Sequence, residues 1–178
     1  QGAGAIVRAG DMLAFTPLVT GGGQEKRLRA GTENVAAIAG FGAAAGAAVA
    51  DLARAGEWRI WRDELAAAIG DGRPATLFGG GEDRLPQTLC FAIPGLKADP
   101  LLIGLDLAGI AVSSGSACSS GKVAQSHVLA AMGIPATLAK GAIRLSFGWD
   151  TTPRDLEMFA TAWRRVLSHI APGETEAA

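Results

Sequence analysis

The sequence predicts an α/β fold, and three observations carry that expectation. Short apolar runs suited to strands stand at 76–78, 88–93, 110–112 and 142–147. Segments of three-to-four periodicity stand between and after them at 57–69, 99–107, 125–132 and 153–170. Glycine or proline punctuates nearly every junction, so strands alternate with helices along the chain. The 178 residues suffice for one ordinary domain with its own core and part of a second. A hydrophobic fraction of 49% against 19% charged residues excludes a disordered chain. With 16 Lys and Arg against 17 Asp and Glu, there is no excess positive charge to hold a polyanion, and nucleic acid is not an expected partner.

Taken in order, Ala5, Ile6, Val7 and Arg8 read as a short strand. The polar stretch GGGQEKRLRAGTEN at 21–34 reads as a glycine-framed loop, of the kind that carries function in compact domains. A helix should start at Thr32 or Asn34 and run to about Ala53. Its Ala- and Gly-rich run from 35 to 50, followed by Asp51 and Arg54, reads as a buried helix too short to span a membrane. Gly42 and Gly46 lie four apart on one of its faces, a spacing that permits close helix contact.

Trp58, Trp61, Leu65 and Ala68 give the next helix an apolar stripe, which Gly70-Asp71-Gly72 ends. A domain boundary is expected there, with residues 1–72 on one side, 73–172 on the other and 173–178 as a frayed tail. Strands at 76–78 and 88–93 follow. Asp99 as N-cap and Pro100 at the first position open a helix to Leu107. Residues 110–112 read as another strand, and SSGSACSSG at 113–121, lacking any apolar periodicity, as a loop. A short helix to Met132, an alternating strand at 142–147 and a helix opened by Thr152-Pro153 complete the series. Leu156, Phe159, Trp163, Val166 and Ile170 form the core stripe of the last helix.

Two cysteines, Cys90 and Cys118, make neither a disulfide framework nor, with His127 and His169, a zinc-ligand pattern. No metal site is expected, and a reducing, cytoplasmic compartment suits the thiols. No signal-peptide pattern is visible at the first residues. Cys118, flanked by serines and glycines, has the surroundings of a nucleophile, since backbone N–H groups of such a loop stabilise a thiolate. Read from the residues alone, a surface turn that contains a cysteine is an equal alternative. Cys90, between Leu89 and Phe91, reads as a structural thiol. Arg144 stands in an apolar strand, where alternation can point it to solvent or an anion such as a carboxylate can meet its fork. Thr32 beside Gly31 serves either as an ordinary N-cap or as a phosphate contact. His127 and His169 read as surface or structural residues, and Lys26, Arg27 and Arg29 as a solvated charge cluster.

In this order, GGGQEKRLRAGTENVAAIAG, RLPQTL, LDLAGIAVSSGSACSSG, SHVLAAMGI and AIRLSFG resemble the cysteine desulfurases of the NifS/IscS type, fold-type I pyridoxal-phosphate enzymes of the class V aminotransferase group. The resemblance implies the end of the large pyridoxal-phosphate domain followed by a small C-terminal α/β domain. It implies that Cys118 takes sulfur from L-cysteine and holds it as a persulfide, and that Arg144 binds the substrate carboxylate. By the same resemblance Thr32 reaches the cofactor phosphate of the neighbouring subunit in a homodimer. The implied partners are L-cysteine and a sulfur acceptor such as an iron–sulfur cluster scaffold protein, with no membrane involved. The lysine that links the cofactor in that family belongs to a segment upstream of Gln1, so the chain resembles the C-terminal portion. Selenocysteine lyase activity, or a sulfur relay without the cofactor, are the alternatives. Two departures stand out: Arg27 occupies a position where the family usually has glycine, and Trp149 one where arginine is frequent.

Overall fold

The computed structural model describes residues 2–7, 9–10, 16–114 and 126–170. It divides into two compact units, Gln1–Ala53 and Arg54–Ala178.

In the first unit, the chain from Gly21 to Asn34 is a loop containing one 3-10 turn, Gln24–Arg27. Glu25, Lys26 and Arg27 all have positive φ, at 48°, 55° and 65°. The left-handed region disfavours a side chain by roughly 1–2 kcal/mol per residue, so Arg27 holds a conformation that glycine adopts freely. Helix α1, Val35–Asp51, starts where Asn34 accepts the Ala37 N–H through its side chain. The expected N-cap is thus realised by Asn34. None of α1 is buried, which corrects the expectation of a buried helix. The physical reason is local: the described residues of this unit include no second long element to lie on it. An 18-residue window within Val35–Gly70 also meets the length and apolarity needed to cross a bilayer, contrary to the expectation that the run falls short. The strand expected at 5–8 is absent among its described residues, where Ile6 and Val7 are exposed without a pairing partner.

The second unit is a four-stranded sheet with helices on both faces. Its strands are β1 (Thr76–Leu77), β2 (Thr88–Ala92), β3 (Ser113–Ser114) and β4 (Ile143–Ser146), in spatial order β1-β2-β4-β3 with every pair antiparallel. Leu89, Phe91, Ile143 and Leu145 project to one face. That face is covered by α2 (Ala55–Gly70), α3 (Ala98–Leu107) and α6 (Pro153–Ile170). Trp61, Leu65 and Ile69 supply the stripe of α2, and Leu101 and Leu105 that of α3. Trp163 on α6 is fully buried, meets Phe91 edge-on at 5.4 Å, and donates its indole N–H to the Ile69 carbonyl at 3.2 Å. Burying each such aromatic is worth about 1.5–3 kcal/mol, and the indole hydrogen bond removes the penalty of a dry polar group. The opposite face carries a smaller cluster of Phe78, Ala92, Leu129, Ala139 and Ala142. It brings in α4 (His127–Ala131), which Ser126 caps, and α5 (Ala136–Ala139), a turn the sequence reading did not anticipate.

Most element ends shift by one or two residues, and two of the shifts change a residue's role. Helix α3 starts at Ala98, so Asp99 lies in its first turn and Lys97 occupies the cap position without a side-chain bond. The third strand is Ser113–Ser114 and not 110–112, since only those two residues find β4 as a partner. At the start of α6 the Asp155 carboxylate reaches back to Thr152, accepting from its N–H at 2.8 Å and from its hydroxyl at 2.7 Å.

Candidate functional site

The alternation of β4 decides where Arg144 goes. Ile143 and Leu145 are drawn into the core beneath the helices, and period two sends Arg144 to the opposite face, where it is exposed. In register, Arg144 is flanked by Cys90 on β2 and by Ser113 on β3. A polar row continues along the same face, where the hydroxyls of Thr88 and Ser146 lie 3.0 Å apart. Arg84 donates through Nη1 to the Thr88 carbonyl, and its buried Nε has no hydrogen-bond partner among the described residues. Burial pushes the Cys90 thiol up from its ordinary pKa, against the opposing pull of the Arg144 and Arg84 charges and of the Phe91 N–H. The outcome is a neutral thiol beside an outward-facing guanidinium, an arrangement suited to receiving a carboxylate at Arg144.

Thr32 belongs to the first unit, on the bend that enters α1. The Ala30 N–H donates to the Val19 carbonyl at 3.0 Å and closes the base of the loop. Gly31 has φ of +98°, a value open to glycine, and its N–H donates to the side-chain oxygen of Gln24 at 3.3 Å. Thr32 follows, exposed, two residues before the N-cap of a 17-residue helix. The Thr32 hydroxyl, the backbone N–H groups at the entry to α1 and Arg29, whose Nη1 lies 3.5 Å from the Gly31 carbonyl, are donors chemically suited to a phosphate, and Lys26 and Arg27 belong to the same loop.

Cys118 lies outside the described residues. Of the candidate residues, Arg144 and Thr32 occupy different units, each with a geometry of its own. His127 is exposed at the start of α4, and His169 Nδ1 lies 2.6 Å from the Arg165 carbonyl, consistent with surface and structural roles. Among the described residues no group of three or more His, Cys, Asp or Glu side chains is placed to hold a metal ion. Two residues near the candidate sites were not singled out by the sequence reading. Arg84 was hidden within RLPQTL, where only its fold-back onto the Thr88 carbonyl reveals a link to the Cys90 face. Gln24 was hidden in a polar loop, where no periodicity marks a side chain that folds across seven residues.

Comparison with known proteins gives a consistent picture. The chain is 38% identical to a cysteine desulfurase of Rhodobacter capsulatus over 97% of its own length and 45% of the relative's. It is 40% identical to the cysteine desulfurase NifS of Azotobacter vinelandii, covering 89% of this chain and 38% of that one. It thus spans less than half the length of these curated relatives. The solved structure of a NifS-like protein from Rickettsia africae superposes with a TM-score of 0.75 at 36% identity, over 88% of this chain and 41% of the other. Residues 5–159 match the family described as aminotransferase class V, a stretch that takes in Thr32, Cys118 and Arg144. On that match, supported by the same fold in a related solved structure, the chain belongs to the class-V aminotransferase family.

Proposed function

We propose that this chain is part of a pyridoxal-phosphate-dependent cysteine desulfurase, which converts L-cysteine to L-alanine and retains the sulfur as a persulfide on Cys118. The observation that carries this reading is the position of Arg144: a guanidinium held outward in mid-strand by two buried neighbours, with a small thiol and a serine on either side. A planar fork fixed on a rigid sheet is pre-organised for the carboxylate of an amino acid.

The donor set around Thr32 fits the phosphate of pyridoxal phosphate, with the Thr32 hydroxyl and the N–H groups at the entry to α1 as its contacts. Bound in the protein, pyridoxal phosphate supplies an electron sink for the amino acid. Arg144 orients the substrate by its carboxylate. The Cys118 thiolate attacks the substrate sulfur, the bond between that sulfur and the β-carbon breaks, and the carbon keeps the electron pair and takes up a proton to give the alanine methyl group. The sulfur atom leaves on Cys118 and passes to an acceptor thiol, for which an iron–sulfur cluster scaffold protein is the proposed partner. We assign the Ala- and Gly-rich α1 to protein packing in a homodimer, with no role for a membrane, and place the protein in the cytoplasm.

Sulfide release by the full-length protein tests the reading. Arg144→Ala should retain cofactor absorbance and raise KM for L-cysteine roughly ten- to hundredfold, the equivalent of losing a charge-assisted bidentate contact of about 1.5–3 kcal/mol. Cys118→Ser should abolish both sulfide release and the gain of one sulfur atom by mass spectrometry. Unchanged KM and kcat in Arg144→Ala, or a persulfide that persists in Cys118→Ser, would overturn it.

A further inference from the structure

The loop before α1 contains a restraint that neither its composition nor the proposed reaction requires. Gly31 connects the buried Ala30 to the exposed Thr32 at a φ of +98°. A glycine there has more backbone freedom than any other residue, so the direction in which Thr32 is presented must be fixed from outside the bend. The Ala30–Val19 backbone bond stops one residue short of it. Arg29 reaches the Gly31 carbonyl only at 3.5 Å, at the limit of a hydrogen bond. The Gln24 side-chain oxygen accepts the Gly31 N–H itself, in a long bond of 3.3 Å that bridges seven residues of loop.

Three features keep that bridge in place. The left-handed run Glu25, Lys26 and Arg27 turns the chain back immediately after Gln24. Gly22 leaves the space the amide occupies, since a Cβ built at Gly22 would collide with the Gln24 oxygen. Gln24 is itself partly buried within the loop. A neutral amide also suits the position chemically. It accepts a hydrogen bond as a carboxylate would, without placing a negative charge beside a bound anion.

We propose that Gln24 is a positioning residue for the phosphate contact: by holding the Gly31 N–H it fixes the bend that presents Thr32. The proposal rests on the reading of Thr32 as a phosphate ligand, and the experiment separates the two. Affinities for pyridoxal phosphate and for pyridoxal, which has the same ring and no phosphate, are measured by cofactor fluorescence in the full-length protein, together with amide exchange at Gly31. Gln24→Met should weaken pyridoxal phosphate about three- to tenfold, the effect of one modest hydrogen bond. It should leave pyridoxal affinity unchanged and accelerate exchange at Gly31. Combined with Thr32→Val, Gln24→Met should add no further loss, because a residue that acts through Thr32 has nothing left to position.

An equal loss for pyridoxal, an additive loss in the double variant, or no loss in Gln24→Met would each overturn the role of Gln24. If Thr32→Val alone leaves pyridoxal phosphate affinity intact, the phosphate reading fails first and the proposal fails with it.

Discussion

Cys90 shows how neighbours set the chemistry of a side chain. Burial raises its thiol pKa more than Arg144, Arg84 and the Phe91 N–H lower it, so at neutral pH it stays protonated and a poor nucleophile. The sequence around Cys118 offers serine and glycine in place of such apolar neighbours. Brief alkylation of the folded protein followed by peptide mapping is therefore expected to label Cys118 first, and preferential labelling of Cys90 would reverse the assignment. The sign of the pH effect follows from the same shift. Below the ordinary thiol pKa of about 8.5, Cys90 is protonated in both folded and unfolded chains and its contribution is intact. As pH rises beyond that value the unfolded chain ionises first, so stability falls and Cys90 labelling accelerates. The identity of Cys90 as a structural thiol was legible from Leu89 and Phe91. Its place beside Arg144 was not, because 54 residues separate them and only the β2–β4 register joins them.

Among the elements, α6 and α3 approach closely at Gly104. A Cβ there would come within 2.9 Å of Val166 Cγ1, and a β-branched side chain in a packed core has little room to yield. Gly104→Ala should therefore destabilise by about 1 kcal/mol, since overpacking of roughly 1–3 kcal/mol outweighs the gain in helix propensity. Urea unfolding measures this, and a stabilised variant would show that the two helices can part. The start of α6 carries a second test. Thr152 holds the Asp155 carboxyl below its ordinary pKa through its hydroxyl and then its backbone N–H, with Arg154 adding a smaller pull. That contribution is present above the unfolded carboxylate pKa and is lost as pH falls through the depressed folded value. Asp155→Asn should thus be less stable than the parent near neutrality, by a margin that shrinks in acid. This helix was the most legible element of the chain, with its Thr-Pro opening and its stripe through Trp163 both realised. By contrast, α5 is four residues long and β3 two, too short for any periodicity to register.

At the scale of the whole molecule, burial is uneven. The second unit concentrates the core, with Phe91, Ile143, Leu101, Leu105 and Trp163 essentially inaccessible, whereas α1 buries nothing. Alanine favours a helix, yet Gly40, Gly42 and Gly46 each weaken it by about 1 kcal/mol relative to alanine, and most of a helix's stability in proteins comes from packing a face that α1 leaves uncovered in this chain. Amide exchange in the 178-residue chain should accordingly be orders of magnitude slower at β2 and β4 than along α1. Equal protection of both would mean that α1 already finds, in this chain, the homodimer packing proposed for the full-length protein. Sequence patterning conveys apolarity but not the surface that will meet it, which is why α1 read as buried. It also conveys strand character without the partner, which is why residues 5–8 read as a strand.

The alternation Ile143-Arg144-Leu145 has a consequence for how such a site can change over time. Slipping β4 by one residue against β2 would turn the guanidinium into the core and expel two aliphatic side chains, so no folded intermediate carries the arginine half-turned. Mutational drift can retune the rim of this face through Cys90, Ser113 or Ser146, but the bearing of Arg144 is inherited with the hydrophobic core. Purifying selection on foldability alone would keep it aimed outward whether or not a descendant retained the proposed reaction.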